Sequence, residues 1–292
     1  MTDAQDRGRD ERPGKTRTWW HPLLARLMDH LLSTAYTVRQ EVAIGELPLR
    51  VDILLIQRED GELPEVSRRE LSALLPLLNR YTLIEFKAPT DSARPGDAAQ
   101  LFGYSFVWHG QQEVRIPAKD LSLIFLAPSL SKALRDELQC LTCETSEAVP
   151  GIHRVTGLPF TTWIVETDVM ADLGQPVLSL VSRVFLRDHE RIIAELRNTG
   201  HAALLAYVLQ QVQQFRTLGE DFAMQHTDTQ YLGTLEEELL TAVLRAAPVE
   251  KRLEGLSPEE RVRGLAPEDL AAGLTPEQAT RLRELLERKL DE

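Results

Sequence analysis

The segment Tyr81-Thr-Leu-Ile-Glu-Phe-Lys-Ala-Pro89 constrains this chain more than any other, because it places a carboxylate and an ammonium two residues apart near the end of an apolar strand. Alternate side chains of a strand share a face, so Glu85 and Lys87 are expected to point together while Phe86 points away. Thirty-three residues before Glu85, Leu49-Arg-Val-Asp-Ile-Leu-Leu-Ile56 puts Asp52 inside a second apolar strand. Burying one unpaired carboxylate in a sheet is costly, and burying two side by side costs more unless positive charge sits between them. A divalent metal ion would supply that charge.

The spacing predicts a first amphipathic helix over Trp19 to Ser33, with Leu23, Leu24, Leu27, Met28, Leu31 and Leu32 on one face. Tyr36 to Glu46 and Leu49 to Ile56 read as two strands of a hairpin around Pro48, and Arg68 to Leu75 as a short helix. The strand Tyr81 to Lys87 is expected to stop at Pro89, which lacks a ladder donor. Asp97 to Trp108 then reads as a helix with Asp97 in the N-cap position and His109 placed to cap its end. Leu121 to Ala127 and Thr161 to Glu166 are two further strands. Val177 to Leu196, His201 to Phe215 and Thr234 to Ala247 have helical period. The fold class expected is therefore α/β (mixed α+β): a mixed sheet flanked by helices, with an appended helical C-terminal region.

The organisation follows composition. Residues 1–18 are polar and aperiodic, which predicts a disordered leader. Residues 19–170 carry the sheet and 171–247 the helices. In 248–292, Gly255-Leu-Ser-Pro-Glu-Glu, Gly264-Leu-Ala-Pro-Glu-Asp and Gly273-Leu-Thr-Pro-Glu-Gln repeat at a nine-residue period. Each unit has proline at a first-turn position, and Ser257 with Glu260 and Thr275 with Gln278 fit capping boxes. This tail is expected to be a helical cap or self-association module.

With no apolar run of 18 residues and a charged N-terminus, the expectation is no membrane contact and a cytoplasmic setting. The net charge of −12 argues against a protein that coats nucleic acid through bulk electrostatics, while leaving room for a local basic groove. Cys140 and Cys143 form one isolated Cys-x-x-Cys, too few ligands for a structural zinc site, and read as ordinary thiols. No pair among the seven histidines has a recognisable ligand spacing.

Asp52, then Glu85-Phe-Lys87, then Gln100-Leu-Phe-Gly-Tyr104, in that order on strand, strand and helix, resembles the PD-(D/E)xK nuclease superfamily. The Gln-x-x-x-Tyr element is similar to that of its RecB-like members. The wider chain, including Ile152-His-Arg-Val-Thr-Gly-Leu-Pro-Phe160 and the Gly-Leu-x-Pro-Glu tail, resembles the Rpn family of recombination-promoting nucleases and putative transposases. The nuclease match spans Trp20 to Thr167. It departs from the superfamily motif in one place, where Val51 rather than proline precedes Asp52.

The resemblance implies a restriction-endonuclease-like core and a Mg²⁺- or Mn²⁺-dependent DNA endonuclease acting in recombination or mobile-element biology. Asp52, Glu85 and the carbonyl of Phe86 would ligate the ion, a hard cation that takes oxygen ligands and keeps several waters. Lys87 would orient the attacking water or offset charge on the phosphate. Gln100 and Tyr104, four apart on one helix face, would touch the DNA backbone or steady the metal shell. Glu41 and Glu46 are further candidate ligands. DNA is the implied partner, and the helical C-terminal region is a candidate for homo-oligomer contacts. The alternative is a non-catalytic DNA- or protein-binding module on a nuclease scaffold.

Overall fold

The computed structural model describes residues 18–44, 49–219, 229–248, 257–263 and 266–290. The predicted leader up to residue 17, the Pro48 turn and Glu46 lie outside the described residues. Two compact units divide the chain, residues 1–243 and 244–292.

The first unit is a seven-stranded mixed sheet with helices on both faces. After α1 (Trp20–Leu32) come β1 (Tyr36–Ile44) and β2 (Leu49–Gln57), then α2 (Glu65–Glu70), β3 (Tyr81–Phe86), α3 (Asp97–Gly110) and β4 (Leu121–Ala127). The chain continues through α4 (Lys132–Cys140), β5 (Glu144–Val149), β6 (Ile152–Thr156) and β7 (Thr161–Glu166). The strand order is β1-β2-β3-β4-β7-β6-β5. β3, β4 and β7 are parallel neighbours at the centre, and the outer pairs are antiparallel. Parallel pairing requires a crossover, which α3 supplies between β3 and β4. The central strands therefore lie under helices on both sides, and every residue of β4 is buried.

Alternation along β3 sorts its side chains into two cores. Ile84 and Phe86 face α1 and the later helices, while Leu83 joins Leu123, Phe125 and the α3 residues Leu101, Phe102 and Tyr104. α1 contributes Trp20, Leu23, Leu24, Leu27, Met28, Leu31 and Leu32 to the first core, each worth roughly 1.5–3 kcal/mol of apolar burial. The same core takes in residues from α5 (Thr167–Asp172), α6 (Pro176–Ser179), α7 (Arg183–Arg187), α8 (His189–Asn198), α9 (Ala202–Thr217) and α10 (Leu232–Ala246). The helices up to residue 243 thus close one face of the sheet rather than forming a body of their own.

Several elements differ from the sequence expectation for identifiable reasons. The single helix expected over Val177 to Leu196 is broken into α6, α7 and α8, because Ser182 and Asp188 each accept a backbone N–H three residues on and start a new helix. Arg68 to Leu75 is instead α2 followed by a 3-10 turn over Leu75–Leu77. α4, β5 and β6 were not expected. All six side chains of β5 are exposed, so this edge strand has no buried face to imprint an alternating pattern. His109 does not cap its own helix; its Nε2–H donates to Ile116 O (2.7 Å) and ties down the following loop.

The second unit holds α11 (Pro258–Val262), α12 (Pro267–Ala272) and α13 (Pro276–Leu290). Both capping boxes form: Glu260 N donates to Ser257 Oγ (3.2 Å) and Gln278 N to Thr275 Oγ1 (3.3 Å), each returned by a side-chain contact to the N-cap N–H. Gly273 ends α12.

Candidate functional site

The site grows from the end of the β2–β3 ladder. Its register runs from Ile56↔Tyr81 to Ile53↔Ile84, so Asp52 and Glu85 are the next residues beyond it. There a side chain replaces the backbone acceptor: Phe86 N–H donates to Asp52 Oδ2 (2.9 Å). Lys87 N–H still donates to Leu126 O (2.8 Å), holding the strand end against β4.

Glu85 and Lys87 share a face as expected, and both are almost wholly buried, at 1% and 2% exposure. Lys87 Nζ donates to Glu85 Oε1 (3.0 Å), lies 3.1 Å from Asp97 Oδ2, and sits 5.7 Å from the Phe125 ring centroid. Asp97 is the residue that sequence reasoning missed here. It is not the N-cap of α3 but its first residue, placed by Gly96, whose φ of +100° turns the chain where a side chain would be strained. Arg94 N–H donates to the same Asp97 Oδ2 (2.8 Å). A signal was present in the sequence. Asp97, Gln100 and Tyr104 are spaced i, i+3, i+7, one stripe of α3.

Along that stripe, the Gln100 amide donates to the Tyr104 hydroxyl, with Gln100 exposed and Tyr104 buried against the sheet. The pair expected from the sequence is therefore in contact, on the helix that also carries Asp97.

On the α1 side, Asp52 lines a small cavity of about 60 Å³ with His21, Gln40, Glu41 and Phe86. His21 Nε2 is 3.2 Å from Phe86 O, and since a carbonyl only accepts, that nitrogen carries the proton. Its Nδ1 lies 3.1 Å from Thr18 Oγ1. Nothing in the spacing of the histidines marked His21; the fold brings the first turn of α1 onto the end of β3. Glu41 sits at positive φ (46°) on β1 and pairs with Arg50 across the hairpin (3.2 Å), with both side chains well exposed.

Two carboxylates, a backbone carbonyl and the solvent are the donors that a Mg²⁺ or Mn²⁺ ion takes, and such ions are held by one or two carboxylates plus waters. Asp52, Glu85 and Phe86 fit that chemistry. Two of the carboxylates here, Glu85 and Asp97, share the single Lys87 ammonium, and Asp52 stands at the end of the adjacent strand. Among the described residues, no three or more His, Cys, Asp or Glu side chains are grouped to hold a metal ion. The oxygen set just described needs only two such side chains.

The loop after β3 is anchored from the helical side. Arg183 Nε donates to Pro89 O (3.3 Å) and its Nη2 to Ser92 Oγ (3.1 Å), while Arg183 N–H donates to Asp168 Oδ1 (2.8 Å). Burial pushes the Asp168 carboxyl above its ordinary range, against the lowering effect of Arg183. Cys140 and Cys143 are free thiols, and burial raises the pKa of Cys143. No helix among the described residues is long and apolar enough to cross a membrane. No family model matches the sequence, and neither a curated protein nor a solved structure shows significant similarity to it.

Proposed function

We propose that this chain is a divalent-metal-dependent DNA endonuclease whose reaction centre is the end of β3. The observation that supports this most is the buried Glu85–Lys87 ion pair beside Asp52, which itself holds the Phe86 N–H. A carboxylate and an ammonium at 1% and 2% exposure cost more to bury than an apolar pair of the same volume. Function accounts for that cost more simply than stability does.

In this reading Asp52, Glu85 and the Phe86 carbonyl hold the ion. When bound, the ion lowers the pKa of a coordinated water and offsets charge on the phosphate. Lys87 orients the attacking water or offsets charge on the scissile phosphate, and its neighbours Glu85 and Asp97 keep its position defined. His21 orients the Phe86 carbonyl through its Nε2–H. Exposed Gln100 meets the DNA backbone, with Tyr104 fixing its amide. The DNA substrate and a role in recombination or mobile-element biology rest on the resemblance alone, as does self-association through the C-terminal region. A cytoplasmic setting belongs to the same proposal.

A second reading has its own observation. Lys87 already neutralises Glu85, as an ion pair retained on a non-catalytic DNA- or protein-binding scaffold would. Metal-dependent nicking of supercoiled plasmid separates the two. Nicking that needs Mg²⁺ or Mn²⁺ and disappears in Asp52→Ala and Glu85→Ala supports the nuclease. Binding without nicking in either metal supports the scaffold.

A further inference from the structure

We infer that Asp97 is a positioning residue that takes over the Lys87 ammonium when Glu85 turns to a divalent cation. The inference rests on the metal-site reading above and adds to it the group that makes Glu85 available. A cation at Glu85 must compete with Lys87, whose Nζ is 3.0 Å from Glu85 Oε1. At 2% exposure Lys87 has little water to fall back on, and a buried ammonium left without a counter-charge is strongly disfavoured. Asp97 removes that obstacle. Its Oδ2 is already 3.1 Å from Nζ, so the ammonium changes partner without changing place.

Asp97 is also held for the task. Arg94 N–H donates to the same oxygen (2.8 Å), and the residue opens the fourteen-residue helix α3, whose positive N-terminal end favours a carboxylate. The same stripe carries Gln100 and Tyr104, so the group that holds Lys87 and the pair proposed to meet DNA move as one rigid element.

Without Asp97 the ammonium has, among the described residues, Glu85 alone, and the cation must win that carboxylate outright. The cost should vanish when the ammonium is absent. Mn²⁺ binding by calorimetry to the wild type, Asp97→Asn, Lys87→Met and the double variant tests this as a cycle. The Asn amide keeps an acceptor for Arg94 N–H; Asp97→Ser, which also keeps one, serves the same cycle should the Asn variant not fold. Asp97→Asn should weaken Mn²⁺ binding on the order of tenfold in the wild-type background, and by less than about threefold once Lys87 is Met. Asp97→Glu should recover most of the affinity.

Equal losses with and without Lys87 would overturn the inference, because Asp97 would then be a ligand or a bystander charge. So would unchanged binding in Asp97→Asn. A coupled cycle in a protein that nicks no plasmid overturns the nuclease reading and leaves the role of Asp97 standing. A wild type that binds no Mn²⁺ overturns both.

Discussion

Glu70 and Glu85 are both buried carboxylates, at 2% and 1% exposure, yet their surroundings are arranged to opposite ends. Glu70, at the end of α2, lies 2.7 Å from His201 Nδ1 at the start of α9 and 3.1 Å from Arg69, whose Nη2 also donates to Gly200 O. Two elements 131 residues apart are pinned by a charge matched locally by arginine. Glu85 instead shares one ammonium with a second carboxylate, and Asp52 at the end of the neighbouring strand accepts from the adjacent Phe86 N–H. In one cluster a single carboxylate meets an arginine and a histidine. In the other, two carboxylates share one ammonium next to a strand end whose Asp52 lines a cavity, an arrangement suited to a cation more than to a stabilising pair.

The comparison breaks first at the strand end. Asp52→Ala and Glu85→Ala should each remove metal-dependent plasmid cleavage, a loss on the order of 10³-fold or more, while the protein stays folded. Lys87→Met should slow cleavage by on the order of 10² to 10³ with DNA affinity little changed. Rates and gel-shift affinities measured together decide it, and an affinity that falls as far as the rate would make Lys87 a phosphate contact only.

Glu70→Ala should do the reverse. It strands His201 and frees Arg69, so urea unfolding should show a loss of about 3 kcal/mol, with cleavage per folded molecule unchanged. A Glu70 variant that keeps its stability and loses cleavage would erase the distinction between the two clusters.

The two compact units offer a weaker contrast. On α13, Leu282, Leu285 and Leu286 are 43%, 48% and 51% exposed, an apolar strip at helical spacing. Ending the chain after Ala247 should leave cleavage measurable and lower the number of chains per particle obtained from light scattering. An unchanged number of chains per particle together with lost cleavage would assign the tail to the reaction centre.

Asp168 gives the smallest effect. Its folded-state pKa lies above the ordinary 3.8, so ionising it weakens the fold. That penalty is absent below the ordinary value, grows as pH rises through the raised one, and is complete at neutral pH. Asp168→Asn keeps an acceptor for Arg183 N–H, so its melting temperature relative to wild type should be higher at neutral pH than in acid. Melting curves at both pH values check the sign.

Much of this was legible from residue order. The hairpin of β1 and β2, the central strands β3, β4 and β7, the helix α3 and both capping boxes announce themselves through periodicity and cap chemistry, which act within a few residues. The shared face of Glu85 and Lys87 follows from the strand repeat alone. What lay beyond the sequence has one physical cause: it depends on contacts between segments whose separation in sequence carries no pattern. β5 is a strand because β6 pairs with it, though none of its side chains is buried. The helices between residues 176 and 198 are cut where Ser182 and Asp188 find backbone donors, a competition that apolar spacing does not record. His21 reaches Phe86 across 65 residues, and Asp97 reaches Lys87 because Gly96 turns α3 toward it. Local pattern determined which residues could carry charge at the strand end, and tertiary packing alone decided which charges share one buried ammonium.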